Sequence, residues 1–247
     1  MSDDLEEYYK TINRIGLSDD DMDLPIYRFI SFESLVELLI DNALVLVKTK
    51  LWEDPYENYL SKCTVYNNNI EVNLDLQDQI FGQCWTMTSE SDALWRIYSD
   101  DKKGIRIKTT IRKLQNATYK MGQTYLGKVT YNTKEAIKKH FSSIIKGDTL
   151  LKTKFLIESL LLKRTAFEHE KEVRVLYMVD TGSIDRTKMV EKFKIIPNDF
   201  IDDILLDPRI DSRTEHIYRA AVKLLGFIGN LDKSNLYSLE PTVISMY

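Results

Sequence analysis

The chain has 247 residues, of which 43% are hydrophobic and 29% charged, a composition that excludes disorder along the whole chain and fits one folded core. Its 34 basic and 38 acidic side chains give a formal net charge of -4, which excludes a general electrostatic attraction to nucleic-acid phosphates. No run of about 20 apolar residues occurs and the start is acidic, so we expect no membrane partner and a cytoplasmic protein.

The first 24 residues are predicted to form an acidic N-terminal helix and linker, and residues 25–247 a single α+β domain. Hydrophobic periodicity then predicts, in chain order, a strand over 26–30, a helix over 32–39, a strand over 44–47, a loop over 52–57, a strand over 81–87, a helix over 93–98 and a strand over 105–108. These elements are strands scattered among unevenly placed helices.

The second half of the chain continues this pattern. It predicts a hairpin over 119–131, two helical runs between 134 and 163 interrupted near Gly147-Asp148, strands over 170–177 and 190–195, a short helix from Pro197, a strand over 204–206, a helix over 214–225 and an extended end over 236–247. We therefore predict a mixed, largely antiparallel sheet core with peripheral helices.

Several kinds of site are excluded by what the sequence lacks. Two cysteines, Cys63 and Cys84, argue against a disulfide scaffold, and Cys84 in its apolar strand is expected to be an inert buried thiol. The three histidines lie far apart, so we expect no metal site. None of the nine glycines forms a phosphate-binding loop, which disfavours classical dinucleotide and P-loop folds.

The segment Glu170-Lys171-Glu172 is the most informative feature. Period-two geometry would place both carboxylates on one strand face with Arg174 beside them. Such a pair suits a general acid, a general base or a carboxylate that binds a hydroxyl group. The alternative is an exposed, charged strand face.

Three further groups are candidates for binding a ligand. Arg28 lies in an otherwise apolar strand, so it is paired inside, offered to an anion such as pyrophosphate, or extended to the surface. Thr86 and Thr88 end a strand with hydroxyls that either hold a ligand or make local turn bonds. Trp95 and Tyr98 lie three apart on one side of a helix and serve either the core or ring stacking.

In combination these residues resemble a bacterial family, domain of unknown function 2971. The matching blocks are Tyr27-Arg28-Phe29, Trp52-Glu53-Asp54-Pro55-Tyr56-Glu57, Cys84-Trp85-Thr86, Leu94-Trp95-Arg96-Ile97-Tyr98 with Gly104, and Phe167-Glu168-His169-Glu170-Lys171-Glu172-Val173-Arg174. The chain departs from the family pattern at Trp52-Glu53 for Phe-Asn, Leu94 for Met and Phe167 for Trp, changes that alter shape more than charge.

The order of an arginine strand, a Ser/Thr strand end and a Glu-x-Glu strand is also similar to that of arginine-type ADP-ribosyltransferases. This weaker resemblance implies an ADP-ribosyltransferase-like fold with NAD as substrate and no metal. Arg28 would hold the phosphates and Thr86 or Thr88 would shape the nicotinamide pocket. Glu172 would bind a ribose hydroxyl and stabilise the oxocarbenium ion, while Glu170 would activate or orient the acceptor.

Three functions are therefore considered, and the third ranks below the first two. The first is an NAD-consuming ADP-ribosyltransferase-like enzyme that modifies a protein or nucleic acid or hydrolyses NAD, as in a bacterial toxin or phage-defence effector. It places Arg28, Thr86 and Glu172 in one cleft, and Trp95 and Tyr98 with the cofactor.

The second function is a non-catalytic binding or sensing domain with a buried polar network. Its groups would satisfy one another and leave no cavity. This network would contain Asp54, Trp95, Tyr98, Glu172 and Arg174. Four residues are assigned either to a polar network or to the substrate: Tyr27, Asp54, Glu57 and Arg174. The third is a metal-independent hydrolase or nuclease that uses the carboxylate pair. The acceptor and the oligomeric state stay open.

Overall fold

The fold is seen in a computed structural model that describes residues 3–57, 59, 65–67, 70–72, 78–120, 123–144, 153–180, 182 and 185–239. The helices are α1 (Asp3–Ile12), α2 (Phe32–Asp41), α3 (Asp92–Tyr98), α4 (Ile111–Thr118), α5 (Lys134–Ile144), α6 (Thr153–Ser159), α7 (Pro197–Phe200) and α8 (Ser212–Leu224). The strands are β1 (Arg14–Ile15), β2 (Pro25–Ile30), β3 (Ala43–Lys48), β4 (Val65–Asn67), β5 (Ile70–Val72), β6 (Ile80–Thr86), β7 (Ile105–Thr110), β8 (Thr124–Lys128), β9 (Thr130–Asn132), β10 (Leu162–Arg164), β11 (Glu172–Met178), β12 (Val190–Lys194), β13 (Asp203–Leu206) and β14 (Asn230–Lys233).

One large mixed sheet organises the molecule. Its strand order is β1-β8-β11-β6-β2-β7-β13-β14, while β3 pairs with β6 and β12 pairs with β3. The end pairs β1/β8 and β13/β14 are parallel, and the other pairs of this sheet are antiparallel. The predicted α+β class with a mixed, largely antiparallel sheet core and peripheral helices is confirmed.

The two faces of the central strands have different roles because side chains alternate along a strand. In β11, Val173, Val175 and Tyr177 belong to the larger hydrophobic core, which also receives buried residues of α2, α4 and α8. On the opposite face Leu176 joins a smaller core with residues of α5 and α6. Arg174 lies on this second face, beside the smaller core.

A gap in the sheet positions the candidate site. Strand β2 pairs with β6 at Tyr27↔Thr86, whereas β3 pairs with β6 at Val47↔Gly82 and the position beside it. Between these contacts, residues 83–85 have no strand partner on that side within the part of the chain that the structure describes. The strands β2 and β3 thus diverge from β6 and leave space between them.

Some predicted elements are wrong. Residues 119–131 do not form a hairpin, because β8 pairs with β1 and β11 while β9 pairs with β10. The helix α4 and the short strands β1, β4, β5, β10 and β14 were not predicted, and residues 236–237 form a turn where an extended end was expected. Strands of two to four residues carry too few side chains for a periodic pattern.

Other predictions are not decided here. The proposed break near Gly147-Asp148 and residues 240–247 lie outside the described residues. The domain boundary after residue 24 stays a prediction, although Met22 is fully buried in the larger core and β1 extends the main sheet. None of the helices in the described ranges combines the length and the hydrophobicity of a membrane span.

Candidate functional site

A cavity of about 340 Å³ occupies the gap where β2 and β3 diverge from β6. This volume falls at the lower end of the range typical of small-molecule sites. The lining residues are Tyr27, Arg28, Phe29, Val47, Trp52, Gly82, Gln83, Cys84, Trp85, Thr86, Leu94, Tyr98, Glu170 and Glu172. Six predicted site residues from four separate segments line it: Tyr27, Arg28, Thr86, Tyr98, Glu170 and Glu172.

Arg28 is the cation of the cavity wall. Its guanidinium makes no hydrogen bond or ion pair with any residue in the described ranges, although it is only partly accessible. Burial lowers the pKa of Arg28, and the proximity of Cys84 opposes this only in part. Because a desolvated guanidinium without a partner is unfavourable, the arrangement favours an anionic ligand at this position.

A compact ionic cluster centred on Lys163 of β10 contributes two carboxylates, those of Glu170 and Glu172, to the cavity lining. Its Nζ lies 2.6 Å from Glu170 Oε2, 2.5 Å from Glu172 Oε1 and 3.3 Å from Glu57 Oε1. With Arg174, the cluster has two cations and three carboxylates, which leaves one negative charge when all are ionised. We call these five residues the Lys163 cluster.

Arg174 anchors the cluster to the protein interior, where its side chain is fully buried. Its Nε donates to Glu172 Oε2 at 2.7 Å, one Nη donates to the carbonyl of Leu160 at 2.7 Å, and the other Nη donates to Glu57. The guanidinium also lies over the ring of Trp52, 4.6 Å from its centroid. These contacts hold the Glu172 carboxylate in one position, and each of the three guanidinium nitrogens of Arg174 donates a hydrogen bond.

The two carboxylates at the cavity have opposite acidities. Burial raises the pKa of Glu170 to about 7, and a hydrogen bond shared with Glu172 adds to this effect while Lys163 opposes it. Burial alone would also raise the pKa of Glu172. The charge of Arg174, with the hydrogen bonds from Glu170 and Arg174, instead holds the pKa of Glu172 well below its usual range. Glu172 is therefore a fixed anion, and Glu170 can exchange a proton near neutral pH.

The backbone brings these two carboxylates together by a route that differs from the predicted one. Glu170 ends a 3-10 helix over Thr165–Glu170, and β11 begins only at Glu172. Lys171 between them has a left-handed backbone conformation with φ of 44°. The alternative of an exposed, charged strand face is wrong, since Glu170 and Glu172 are 5% and 4% exposed.

The end of β6 is tied to the same segment. Thr86 Oγ1 donates to the main-chain carbonyl of Glu170 and accepts from the amide of Thr88 at 3.0 Å. Thr88 Oγ1 contacts the carbonyl of His169 at 3.4 Å and does not line the cavity. Thr86 thus lies at the cavity with its hydroxyl already engaged, and Thr88 lies outside it.

Aromatic side chains form the entrance side of the cavity. The rings of Phe29 and Tyr98 are stacked with centroids 6.1 Å apart, and Tyr98 is 46% exposed. Trp95 is fully buried, packs edge-on against Phe29 and donates its indole N–H to Glu90 at 2.7 Å. Tyr98 therefore offers a ring surface to a ligand, whereas Trp95 packs against Phe29 from the protein interior.

Two predicted polar residues have local partners. Asp54 accepts from Arg164 Nη at 3.0 Å and does not contact the Lys163 cluster directly, whereas Glu57 belongs to that cluster. The ring of Tyr27 lines the cavity and lies beneath the guanidinium of Arg106, 4.7 Å from the centroid. A buried polar network and a cavity are thus both present, contrary to the prediction that the network would leave no cavity.

Lys163 was missed by the sequence analysis. It follows the apolar run Leu160–Leu162, a context that indicates the end of a helix more readily than an ion-pair centre. Cys84 also lines the cavity, where burial raises the pKa of its thiol. Within the described residues, no group of three or more His, Cys, Asp or Glu side chains is arranged to hold a metal ion.

Comparison with solved structures gives a distant likeness. Three matching structures are of DarT from Thermus sp. 2.9, in complex with carba-NAD+, with ADP-ribosylated ssDNA and with NAD+. Each has a TM-score of 0.40, with identities of 12%, 11% and 12% respectively. The matches cover 86% of this chain and 96%, 94% and 96% of the respective DarT chains. No curated protein matches the chain with significant sequence similarity.

A family model provides the more direct connection. The model described as "Protein of unknown function (DUF2971)" matches residues 94–175. This stretch contains Trp95, Tyr98, Glu170, Glu172 and Arg174. The resemblance to the DUF2971 family that the motifs predict is confirmed over residues 94–175.

Proposed function

We propose that the cavity binds NAD and that the protein cleaves the bond between nicotinamide and ribose, passing ADP-ribose to water or to a protein or nucleic-acid acceptor. The observation that carries this proposal is that the guanidinium of Arg28, which has no hydrogen-bond or ion-pair partner among the described residues, lines the same cavity as Glu170 and Glu172. The cavity thus offers a positive charge for phosphates and carboxylates for a cationic transition state.

The reaction divides between the two glutamates. Nicotinamide leaves with the electron pair of the glycosidic bond, and the ribose carbon becomes an oxocarbenium ion. The fixed negative charge of Glu172 stabilises that ion, while Lys163 and Arg174 keep the carboxylate in place. The acceptor oxygen or nitrogen then attacks the ribose carbon and gives its proton to Glu170, whose pKa of about 7 suits a general base.

The aromatic entrance fits the remaining part of the ligand. Tyr98 presents a half-exposed ring stacked on Phe29, a surface suited to a planar base or to nicotinamide. We infer no metal for this reaction, because the displaced group is neutral nicotinamide and the developing charge is positive. Arg28 would hold the diphosphate, which carries the negative charge of the dinucleotide.

The direct test is nicotinamide release from NAD by the purified protein, with water alone and with a cell lysate as acceptor source. Wild-type protein should release nicotinamide, and Arg28→Met and Glu172→Gln should each lose this activity. Arg112→Met and Glu191→Gln are matched controls, since both residues form ion pairs away from the cavity. No release by wild type under any condition would refute the proposed reaction.

A binding measurement tests the role of Arg28 separately. NAD should raise the thermal midpoint of the wild-type protein, and Arg28→Met should abolish this shift. Nicotinamide riboside has the same leaving group without the diphosphate, so its weaker effect should be equal in wild type and variant. Loss of both effects would assign Arg28 a role other than phosphate binding.

A second candidate function is ligand sensing without turnover. It is favoured by the Lys163 cluster, in which every carboxylate already contacts a cation. Such neutralisation weakens the field that a carboxylate can exert on a cationic transition state. NAD binding without nicotinamide release would favour this function over the enzyme.

A further inference from the structure

Lys163 is the contact that joins the two cavity carboxylates. An ammonium group has three N–H donors, and three carboxylates lie within 3.3 Å of Lys163 Nζ: those of Glu57, Glu170 and Glu172. All of these side chains are less than a tenth exposed. Lys163 therefore supplies a positive charge that Glu170 and Glu172 share at close range.

The surroundings make this contact unequal for the two glutamates. Glu172 also accepts from Arg174, whereas Lys163 is the one cation that contacts the Glu170 carboxylate within the described part of the chain. Removing Lys163 would leave Glu172 with one cation and Glu170 with none. The carboxylate pair would then repel and separate, or retain a proton to higher pH.

The position of Lys163 depends on a part of the fold outside the main sheet. Strand β10 pairs in parallel with β9, and the register aligns Lys163 with Tyr131. The hydroxyl of Tyr131 accepts from the main-chain N–H of Glu172 at 2.9 Å. The small sheet thus holds Glu172 at two points, once through its backbone and once through its carboxylate.

We propose that Lys163 is a positioning residue that holds Glu170 and Glu172 side by side at the cavity wall and sets their protonation. Lys163 itself does not line the cavity, so it would affect the reaction only through Glu170 and Glu172. This effect on the reaction rests on the proposed function. The effect of Lys163 on the position and protonation of Glu170 and Glu172 can be measured without any substrate.

The titration of this pair depends on several neighbours. The titratable and charged groups that face it are Glu57 from the loop after β3, Lys163 from β10, Arg174 from β11, Tyr131 from β9, Tyr98 from α3 and Cys84 from β6. Among these, Lys163 and Arg174 are the two cations, and Lys163 is the one that contacts both glutamates.

The test is a pH titration of the side-chain carboxyl carbons in glutamate-labelled protein, followed by NMR between pH 5 and 9. Wild type should show one buried glutamate that titrates near neutral pH, assigned by its loss in Glu170→Gln. Lys163→Met should move that midpoint upward by about one pH unit or more. Lys163→Arg, which keeps the charge, should restore the midpoint most of the way toward wild type.

Lys48→Met is the matched control. Lys48 is also buried, but its Nζ contacts the carbonyls of Asp185 and Arg186 and lies over Phe81, on the other face of the sheet. This variant should leave the glutamate midpoint unchanged. An unchanged midpoint in Lys163→Met as well would overturn the inference.

A second measurement covers the case in which Lys163→Met does not fold. In wild type labelled with ¹⁵N-lysine, the Lys163 ammonium signal should change with the same midpoint as the glutamate signal. A Lys163 signal that does not respond to that midpoint would overturn the inference. If NAD is cleaved, the pH optimum for nicotinamide release should move upward in Lys163→Met.

The two proposals fail in different ways. A shifted glutamate midpoint without nicotinamide release would refute the proposed reaction and retain the role of Lys163. Nicotinamide release by both proteins with identical pH profiles and glutamate midpoints would retain the reaction and refute the role of Lys163.

Discussion

Replacing Arg174 by Met should destabilise the protein more than any substitution of an exposed arginine. The guanidinium is fully buried and contacts Glu57, Glu172 and the carbonyl of Leu160. Removing one member of a buried ion pair costs about 3–5 kcal/mol, because the remaining charge stays buried. Here two carboxylates lose a partner and share only Lys163, so we expect the upper half of that range.

The pH dependence of this effect is a sharper test than its size. In wild type the pKa of Glu172 lies below its usual value of 4.5, so its ionised form contributes stability above that pH and loses it as pH falls further. In Arg174→Met, burial without the arginine should raise this pKa above 4.5. The ionised carboxylate then destabilises the variant at neutral pH, and protonation relieves this as pH falls.

Urea unfolding followed by far-ultraviolet circular dichroism at pH 7.5 and pH 5 measures both effects. The stability difference between wild type and Arg174→Met should be smaller at pH 5 than at pH 7.5. Arg112→Met should have a much smaller effect at both pH values, since the Arg112–Asp23 pair is exposed and solvent screens it. A difference for Arg174→Met that is independent of pH, or no larger than that of the control, would refute the assigned electrostatic role.

Three further predictions follow from the cavity. Arg28→Met should leave the free energy of unfolding unchanged or raise it, because the substitution removes a desolvated guanidinium without a described partner; a loss above about 2 kcal/mol would show that Arg28 has a structural role. Gly82→Ala should destabilise by about 1–3 kcal/mol, because an added Cβ would lie 2.6 Å from the Trp52 ring and 2.9 Å from Leu176; a neutral effect on urea unfolding would mean that Trp52 moves freely. In a Cys63→Ser background, the half-buried Cys84 should react with a thiol reagent at pH 8 far more slowly when folded than in urea, because desolvation raises the pKa of its thiol; equal rates would contradict that raised pKa.

Residue patterns were sufficient to predict the central strands and several of the polar residues that line the cavity. Apolar, β-branched and aromatic residues predicted β2 and β6, and alternation of charged and apolar residues predicted β11; these strands carry Arg28, Thr86 and Glu172. The motif order that resembles ADP-ribosyltransferases predicts that these residues share one cleft, and all three line one cavity. Local periodicity and motif order therefore identified which segments meet.

The remaining features depend on long-range geometry. Lys163 contacts Glu57, which lies more than 100 positions earlier in the chain, and no local pattern relates the two residues. Glu170 reaches the cavity because Lys171 adopts a left-handed conformation, which the sequence alone does not specify for lysine. The hydroxyl of Thr86 was available to a ligand by residue type, yet the fold uses it to bind the Glu170 carbonyl.

The central place of β11 determines when the site can form during protein synthesis. Its residues 172–178 insert between β6 and β8, which are both translated earlier. Until β11 emerges from the ribosome, the facing edges of β6 and β8 lack their common neighbour, and such unpaired edges promote aggregation. A chain truncated before residue 172 contains Arg28 but neither Glu172 nor Arg174, so partial products can carry the cation of the cavity without these two members of the Lys163 cluster.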